Sequence, residues 1–260
     1  MTGARSVHVV ITNDDGIGSE GLRVLARAAV QAGWDVVVAA PERQASGSGA
    51  AMTMVQSGGR VIAERHTLPG LETVPAYAIQ ASPAFIAYAA VRGAFGRRPD
   101  YLLSGINLGP NTGHLVLHSG TVGAALTAAN HGVRAAAFSL DAEGSAGVRE
   151  WESAADVAGQ VLPALRDIKP GIVLNVNVPN IPKDQINGIR QARLAAAGAG
   201  AVELSIGQVA AGAMQVTLAE TGRRPAPGTD SGLLAAGYAA ITPLQPVGEV
   251  TSVGLPWPAG

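Results

Sequence analysis

The chain contains no cysteine, which excludes disulfides, thiolate nucleophiles and Cys-ligated zinc or iron–sulfur centres. It is also poor in lysine, which occurs only at Lys169 and Lys183, and it has no basic run. With 18 Lys+Arg against 19 Asp+Glu and a formal net charge of -1, it lacks the positive field that a nucleic-acid backbone requires. No nucleic-acid partner is therefore expected. No apolar run approaches the roughly 20 residues of a membrane span, and residues 1–6 are too short and too polar for a signal peptide, so no membrane is expected and a cytoplasmic location is. Charged residues make up only 14% of the 260, while 47% are hydrophobic, enough to bury a substantial core and to exclude disorder.

The dominant feature of what is present is the stretch 7–16, a β-branched run that ends in Asn13-Asp14-Asp15-Gly16. It reads as a buried central strand delivering two carboxylates to one edge of a sheet. Neighbouring strand residues face opposite ways, so both acids serve one site only if the backbone turns, which Gly16 permits. A helix pattern at Leu22, Leu25, Ala26 and Ala29 follows, between a Ser19 cap and Gly33, and residues 36–40 read as the next strand. That is a βαβ unit, which implies a parallel pair.

The alternation continues along the chain. Residues 41–59 are loop-like, and the stretch to about 78 suggests short strands or a hairpin. Ser82-Pro83 opens a helix expected to reach about Phe95, residues 100–104 form a strand, and residues 105–118 a Gly/Asn-rich loop. Ser119-Gly120-Thr121 opens a small-residue helix to about Asn130, and residues 135–140 form a strand. A helix carrying Ala154, Val161 and Leu165 then precedes the strand 172–178, which Pro179 ends. Residues 188–220 look like β-ribbon with Gly breaks, 225–230 is a loop, and 233–244 holds a short helix and a last strand.

Polar clusters sit after three of these strands: Asn13 to Asp15, Arg43 to Ser48, and Ser104 to Asn111. In an open parallel sheet all three lie at the carboxyl edge, the usual ligand crevice. Asp, Ser and Asn offer only hard oxygen ligands, which suit Mg²⁺ or Mn²⁺ and not zinc. The helix that begins at Ser119 offers free N–H groups and a positive dipole end to a phosphate. A metal beside an anion hole points to phosphoryl transfer. One motif competes, because Gly16-Ile17-Gly18-Ser19-Glu20-Gly21 matches the dinucleotide-binding GxGxxG pattern and Glu42 lies at a suitable distance for a ribose hydroxyl. A pyrophosphate there would meet two carboxylates, which counts against a dinucleotide-dependent oxidoreductase.

Six blocks, in order, resemble the SurE family: Thr12 to Gly16, Ala40-Pro41-Glu42-Arg43 with Ser46-Gly47, Ser104-Gly105-Ile106-Asn107 with Gly109-Pro110-Asn111, Ser119 to Ala125, Leu174 to Pro179, and Ile241-Thr242-Pro243-Leu244. The resemblance implies a Rossmann-like, three-layer α/β fold with a mostly parallel sheet. It implies a metal-dependent phosphatase of nucleoside 5'/3'-monophosphates. Asp14, Asp15, Ser46 and Asn107 would hold one divalent metal ion, with Asp14 and Asp15 catalytic, and Asn111, Ser119, Gly120 and Thr121 would bind phosphate. Asn13 is expected to bond the turn backbone instead of the metal. Residues 1–180 would form the metallophosphatase core, and the ribbon and tail at 181–260 an extension exchanged between subunits of a homodimer or homotetramer.

The sequence departs from the family pattern at two places. Ala81 to Ile86 replaces a Gly-Thr-Pro-Ala-Asp-Cys block, and His118 stands where a tyrosine is usual. Phe85 and His118 are therefore expected to alter the substrate pocket. The contrasting reading is a catalytically silent phosphometabolite-binding or scaffold protein.

Overall fold

A computed structural model describes residues 6–142, 147–196, 202–210, 213–220 and 224–249. The central strand is β1 (His8–Thr12), buried at every position. It pairs in parallel with β2 (Asp35–Pro41) on one side and with β5 (Tyr101–Leu108) on the other. Helix α1 (Glu20–Gln31) makes the crossover between β1 and β2, and Ser19 caps it by accepting the N–H of Leu22. Beyond β2 lie β4 (Ala76–Ile79), parallel, and β3 (Ala63–His66), antiparallel, the expected hairpin. Beyond β5 come β6 (Arg134–Asp141) and β7 (Val173–Pro179), both parallel.

The full order is β3-β4-β2-β1-β5-β6-β7-β11-β8, a nine-stranded, mostly parallel α/β sheet. Here β8 is Ile189–Gln191 and β11 is Ala239–Leu244. Helices cover both faces. Alternate residues of β1 show it: Val9 and Ile11 pack in the cluster that contains α1 and α4 (Trp151–Ala164), while Val10 packs with α2 (Pro83–Val91) and α3 (Gly120–Asn130). All-buried strands of this kind are what a sheet covered on both sides demands.

Three differences from the sequence reading bear on the site. Helix α2 ends at Val91, short of Phe95, because Gly93 takes φ 85°, a conformation that terminates a helix. Strand β5 does not stop at 104. It runs to Leu108 through a register shift between Ser104 and Asn107, so Asn107 projects from a strand end and not from a loop. Residues 188–220 are also not one ribbon: β8 joins the main sheet, and only β9 (Val202–Ala210) and β10 (Ala213–Glu220) pair with each other. Within the expected 181–260 extension, residues 197–201, 211–212, 221–223 and 250–260 lie outside those described. Strand β11 pairs antiparallel with β7, and the short helix before it, α5 (Asp230–Ala235), packs on both strands.

Candidate active site

The site grows from the end of β1. Gly16 adopts φ 97°, where an L side chain is strained, and this lets the chain turn directly after the two acids. Asn13 holds that turn. Its Nδ2 donates to the Gly16 carbonyl at 3.1 Å and to Oγ of Ser19 at 2.7 Å, and the Gly16 N–H donates to its Oδ1 at 3.2 Å. Asn13 thus works on the backbone, as its type in a turn suggests.

Asp14 is 4% exposed and points at the start of α3. The Thr121 N–H donates to one carboxylate oxygen at 3.1 Å, and the Thr121 hydroxyl donates to the other. Gly120 is what allows the approach: a Cβ there would fall 2.7 Å from Oδ2 of Asp14 and 2.7 Å from Oγ of Ser48. The carbonyl of Asp14 accepts the Ala45 N–H at 2.7 Å, which fastens the loop after β2 to the same point. Burial pushes the Asp14 carboxyl above its ordinary pKa, against the hydrogen bonds from Thr121 and Gly120. Burial, and secondarily the charge of Asp14, pushes Asp15 up to about 6, opposed by the Leu108 N–H that reaches its Oδ2 at 3.3 Å.

Asn107 lies beside Leu108 at the end of β5, and its Nδ2 donates to the Gly109 carbonyl at 2.7 Å. Ser46 is exposed, two residues before Ser48, and accepts from Nε2 of Gln44 at 2.8 Å. Asn111 is clamped from beneath. Its Nδ2 donates to Oγ of Ser139 at 2.7 Å, its N–H donates to Oδ1 of Asn177 at 2.8 Å, and its carbonyl accepts from Nδ2 of Asn175 and of Asn177 at 2.8 and 3.0 Å. Ser139 and Asn177 are register partners at the carboxyl ends of β6 and β7, so the clamp is a product of the sheet. Ser119 caps α3, accepting the Val122 N–H at 3.1 Å, which leaves its hydroxyl proton to donate.

The structure therefore brings Asp14, Gly120 and Thr121 into direct contact and sets Asp15 against the β5 end that carries Asn107. Thr121, expected among the phosphate ligands, turns both its donors to Asp14 instead. His118 is exposed at the end of the 3₁₀ turn Gly113–His118, its carbonyl accepting the Gly49 N–H at 3.1 Å. Phe85 is half-buried on α2, and Ile86 beside it is wholly in the core. A cavity of about 460 Å³ opens between the loops after β2 and β4, reaching Ala45 on the site side and Ala81 and Ser82, just ahead of α2, on the other; Glu42, Arg43 and Gln80 also line it. Phe85 does not line this cavity, to which the helix start presents its capping serine.

Sequence reasoning gave no role to Ser48, Ser139, Asn175 or Asn177. The Ser-Gly-Ser-Gly repeat at 46–49 hints at Ser48, and the Asn-Val-Asn alternation at 175–177, two polar groups on one face of an apolar strand, at Asn175 and Asn177; Ser139 has no such local signal.

The donor set fits a hard divalent cation. Two carboxylates with raised pKa values stand together, neither with an ion-pair partner among the described residues, and such a pair is what a cation would neutralise. The described residues hold no group of three or more His, Cys, Asp and Glu. Neutral oxygens of Ser and Asn and water would therefore complete the shell, a composition suited to magnesium or manganese.

Comparison with known proteins shows the family. The family described as "Survival protein SurE" matches residues 9–200. The 5'-nucleotidase SurE of Mannheimia succiniciproducens is 34% identical over 249 residues, covering 92% of each chain. The 5'/3'-nucleotidase SurE of Serratia proteamaculans is 35% identical over 243 residues, covering 92% of this chain and 90% of that one. The crystal structure of the SurE protein from Aquifex aeolicus superposes with a TM-score of 0.76 at 29% identity, over 92% of this chain and 93% of that one. On the length and level of these matches, the chain belongs to the SurE family.

Proposed function

We propose that the chain is a metal-dependent phosphomonoesterase acting on nucleoside 5'- and 3'-monophosphates, the activity named for its curated relatives. The observation that carries this reading is the apposition of the buried Asp14 carboxylate, with half-buried Asp15 next to it in the chain, to the N-terminus of α3, with Gly120 as the point of closest approach. Asp14, Asp15, Ser46 and Asn107 would hold one Mg²⁺ or Mn²⁺, which would supply Lewis-acid polarisation of the phosphoryl group. Asn111 and the Ser119 hydroxyl would orient the phosphate at the start of α3, whose positive dipole end would stabilise the charge on its equatorial oxygens. Asp14, held by Thr121, is the candidate base or nucleophile. As base, Asp14 would take a proton from an attacking water; as nucleophile, its carboxylate would take the phosphoryl group, which water then releases. In either case a P–O bond to the incoming oxygen forms as the ester P–O bond breaks, and the leaving oxygen takes a proton from solvent.

The cavity bounded by Glu42, Arg43 and Gln80 supports a nucleoside leaving group, since it adjoins Ala45, the residue tied to Asp14, and offers polar groups for a ribose. Subunit association accords with a second feature. An apolar cleft of about 570 Å³ on the far side of α3 is flanked by the exposed Met52, Leu117 and Val247, which suits burial against another copy.

The test is phosphate release from a panel of monophosphates, with EDTA and then with added Mg²⁺ or Mn²⁺. Release that EDTA stops and either ion restores is expected. No release from any substrate, with retained phosphate binding, would establish the silent binding protein instead.

A further inference from the structure

Asp230 is a buried carboxylate that the chemistry above does not use. It is 0% exposed, at the head of α5 and far along the chain from the site. Its Oδ2 accepts the Gly113 N–H at 2.7 Å across 117 residues of sequence. Its Oδ1 accepts the N–H of Ala195 at 3.0 Å and of Ser231 at 2.8 Å. Its own N–H donates to the Arg193 carbonyl at 2.8 Å.

Three backbone donors on one buried carboxylate make a costly arrangement, because each oxygen must be satisfied to offset desolvation. The cap of α5 is Thr229, whose hydroxyl oxygen accepts the Gly232 N–H at 3.1 Å, so the Asp230 bonds are not needed to start the helix. The Gly113 bond does something else. Gly113 opens the 3₁₀ turn Gly113–His118, the segment that joins Asn111 to Ser119, and these are two of the groups assigned to phosphate. Asn111 is held from the sheet by Ser139 and Asn177, and Ser119 is held by α3. Asp230 fixes the first N–H of the connector between them, and does so from the C-terminal segment.

We infer that Asp230 is a positioning residue for phosphate binding: it sets the separation of Asn111 and Ser119 by bonding Gly113, and it couples that separation to the chain around Ala195. The inference rests on the phosphatase reading for what the loop binds. Charge-assisted bonds to backbone N–H are the strong kind, so their partial loss is felt at the loop they hold.

Asp230→Asn keeps the shape and one acceptor oxygen, but turns an amide NH₂ against either Gly113 or the Ala195 and Ser231 pair. In the full chain with Mn²⁺, the inhibition constant of inorganic phosphate and the KM of a nucleoside monophosphate are expected to rise about tenfold. The Mn²⁺ activation constant and kcat should each stay within about threefold, because the bond lies on the phosphate side alone. A lowered melting temperature with an unchanged phosphate inhibition constant would overturn the inference and leave Asp230 as a structural tie between α5 and the backbone around it.

Should Asp230→Asn not fold, residue-resolved amide exchange on the metal-loaded wild type decides. Saturating inorganic phosphate is expected to slow exchange at Gly113, Ala195 and Ser231 together. Slowing at Gly113 alone, or at none of the three, overturns the coupling. Wild type that releases no phosphate from any monophosphate defeats the phosphatase reading instead, and the exchange measurement still decides the role of Asp230.

Discussion

Thr121 reaches Asp14 twice, with its N–H on one carboxylate oxygen at 3.1 Å and its hydroxyl on the other. Groups that orient a ligating carboxylate typically carry about 10- to 100-fold of metal affinity. Thr121→Val, which keeps the shape and the N–H, should therefore weaken Mn²⁺ binding by about that factor, and Thr121→Ser should restore it. Calorimetric titration checks this. A variant that binds metal normally but phosphate poorly would return Thr121 to the phosphate role that the family resemblance implies.

Asp14 and Asp15 should each be indispensable for turnover. Asp14→Asn is expected to lower metal-dependent activity by at least about a hundredfold while the fold persists. Its side-chain oxygen still accepts from Thr121, and it removes a charge that burial disfavours. The metal-free melting temperature should consequently hold or rise. Circular dichroism beside the phosphate-release assay separates the two effects, and near wild-type turnover would remove Asp14 from the site.

The metal-free protein should lose stability as pH rises. Both acids have raised folded-state pKa values, so their contribution is fully present below the ordinary carboxylate value of 3.8 and is lost as pH climbs through about 6, the value for Asp15. Asp15→Asn should flatten the fall between those limits, and added Mn²⁺ should abolish it by stabilising the ionised pair. Melting temperatures across pH 4 to 8 with EDTA measure this; a slope unaltered by Asp15→Asn would show that other groups carry it.

The βαβ frame was legible in the sequence because its signals are local. Ser19 caps α1, Pro83 occupies its first turn in α2, and the run before Asp14 has the period of a buried strand. The carboxyl-edge clusters were legible for the same reason, since any parallel strand delivers its last residues there. What stayed hidden depends on contacts between distant stretches. Nothing near Asn111 reveals that Ser139 and Asn177 hold it, and Asp230, in a Thr-Asp-Ser-Gly run, reads as an ordinary loop residue until Gly113 is seen beside it. The Gly/Asn-rich composition of 105–118 reads as a loop holding Asn107, whereas the strand runs on through a register shift between Ser104 and Asn107.

Removing residues 181–260 should give insoluble or unfolded protein. The deletion takes away β11 and uncovers the edge of β7, a strand buried along its whole length. An exposed apolar edge of that kind is a template for aggregation. The intact chain should scatter light as a homodimer or larger assembly at micromolar concentration, since the cleft behind α3 is flanked by exposed apolar side chains and β9 and β10, among the described strands, pair only with each other. A monomer at that concentration would remove the assembly.

Substrate preference should follow the cavity beside Ala45 and not the residue that departs most from the family pattern. Glu42 and Gln80 line that cavity, while Phe85 does not. A hydrogen bond to a ribose or base is worth about three- to tenfold in KM. Glu42→Gln and Gln80→Ala should therefore each change the ranking of 5'- against 3'-nucleotides by about that much, with metal activation unaltered. Phe85→Asp is expected to leave the ranking alone and to lower the melting temperature, because it places a charge on a half-buried position of α2. His118→Tyr tests the other departure: His118 is exposed, so the ranking should again hold. Rates compared across 5'- and 3'-nucleotides, sugar phosphates and aryl phosphates decide between the two walls. A ranking that moves with Phe85→Asp or His118→Tyr but not with the Glu42 and Gln80 variants would place the leaving group against α2 and the 3₁₀ turn instead.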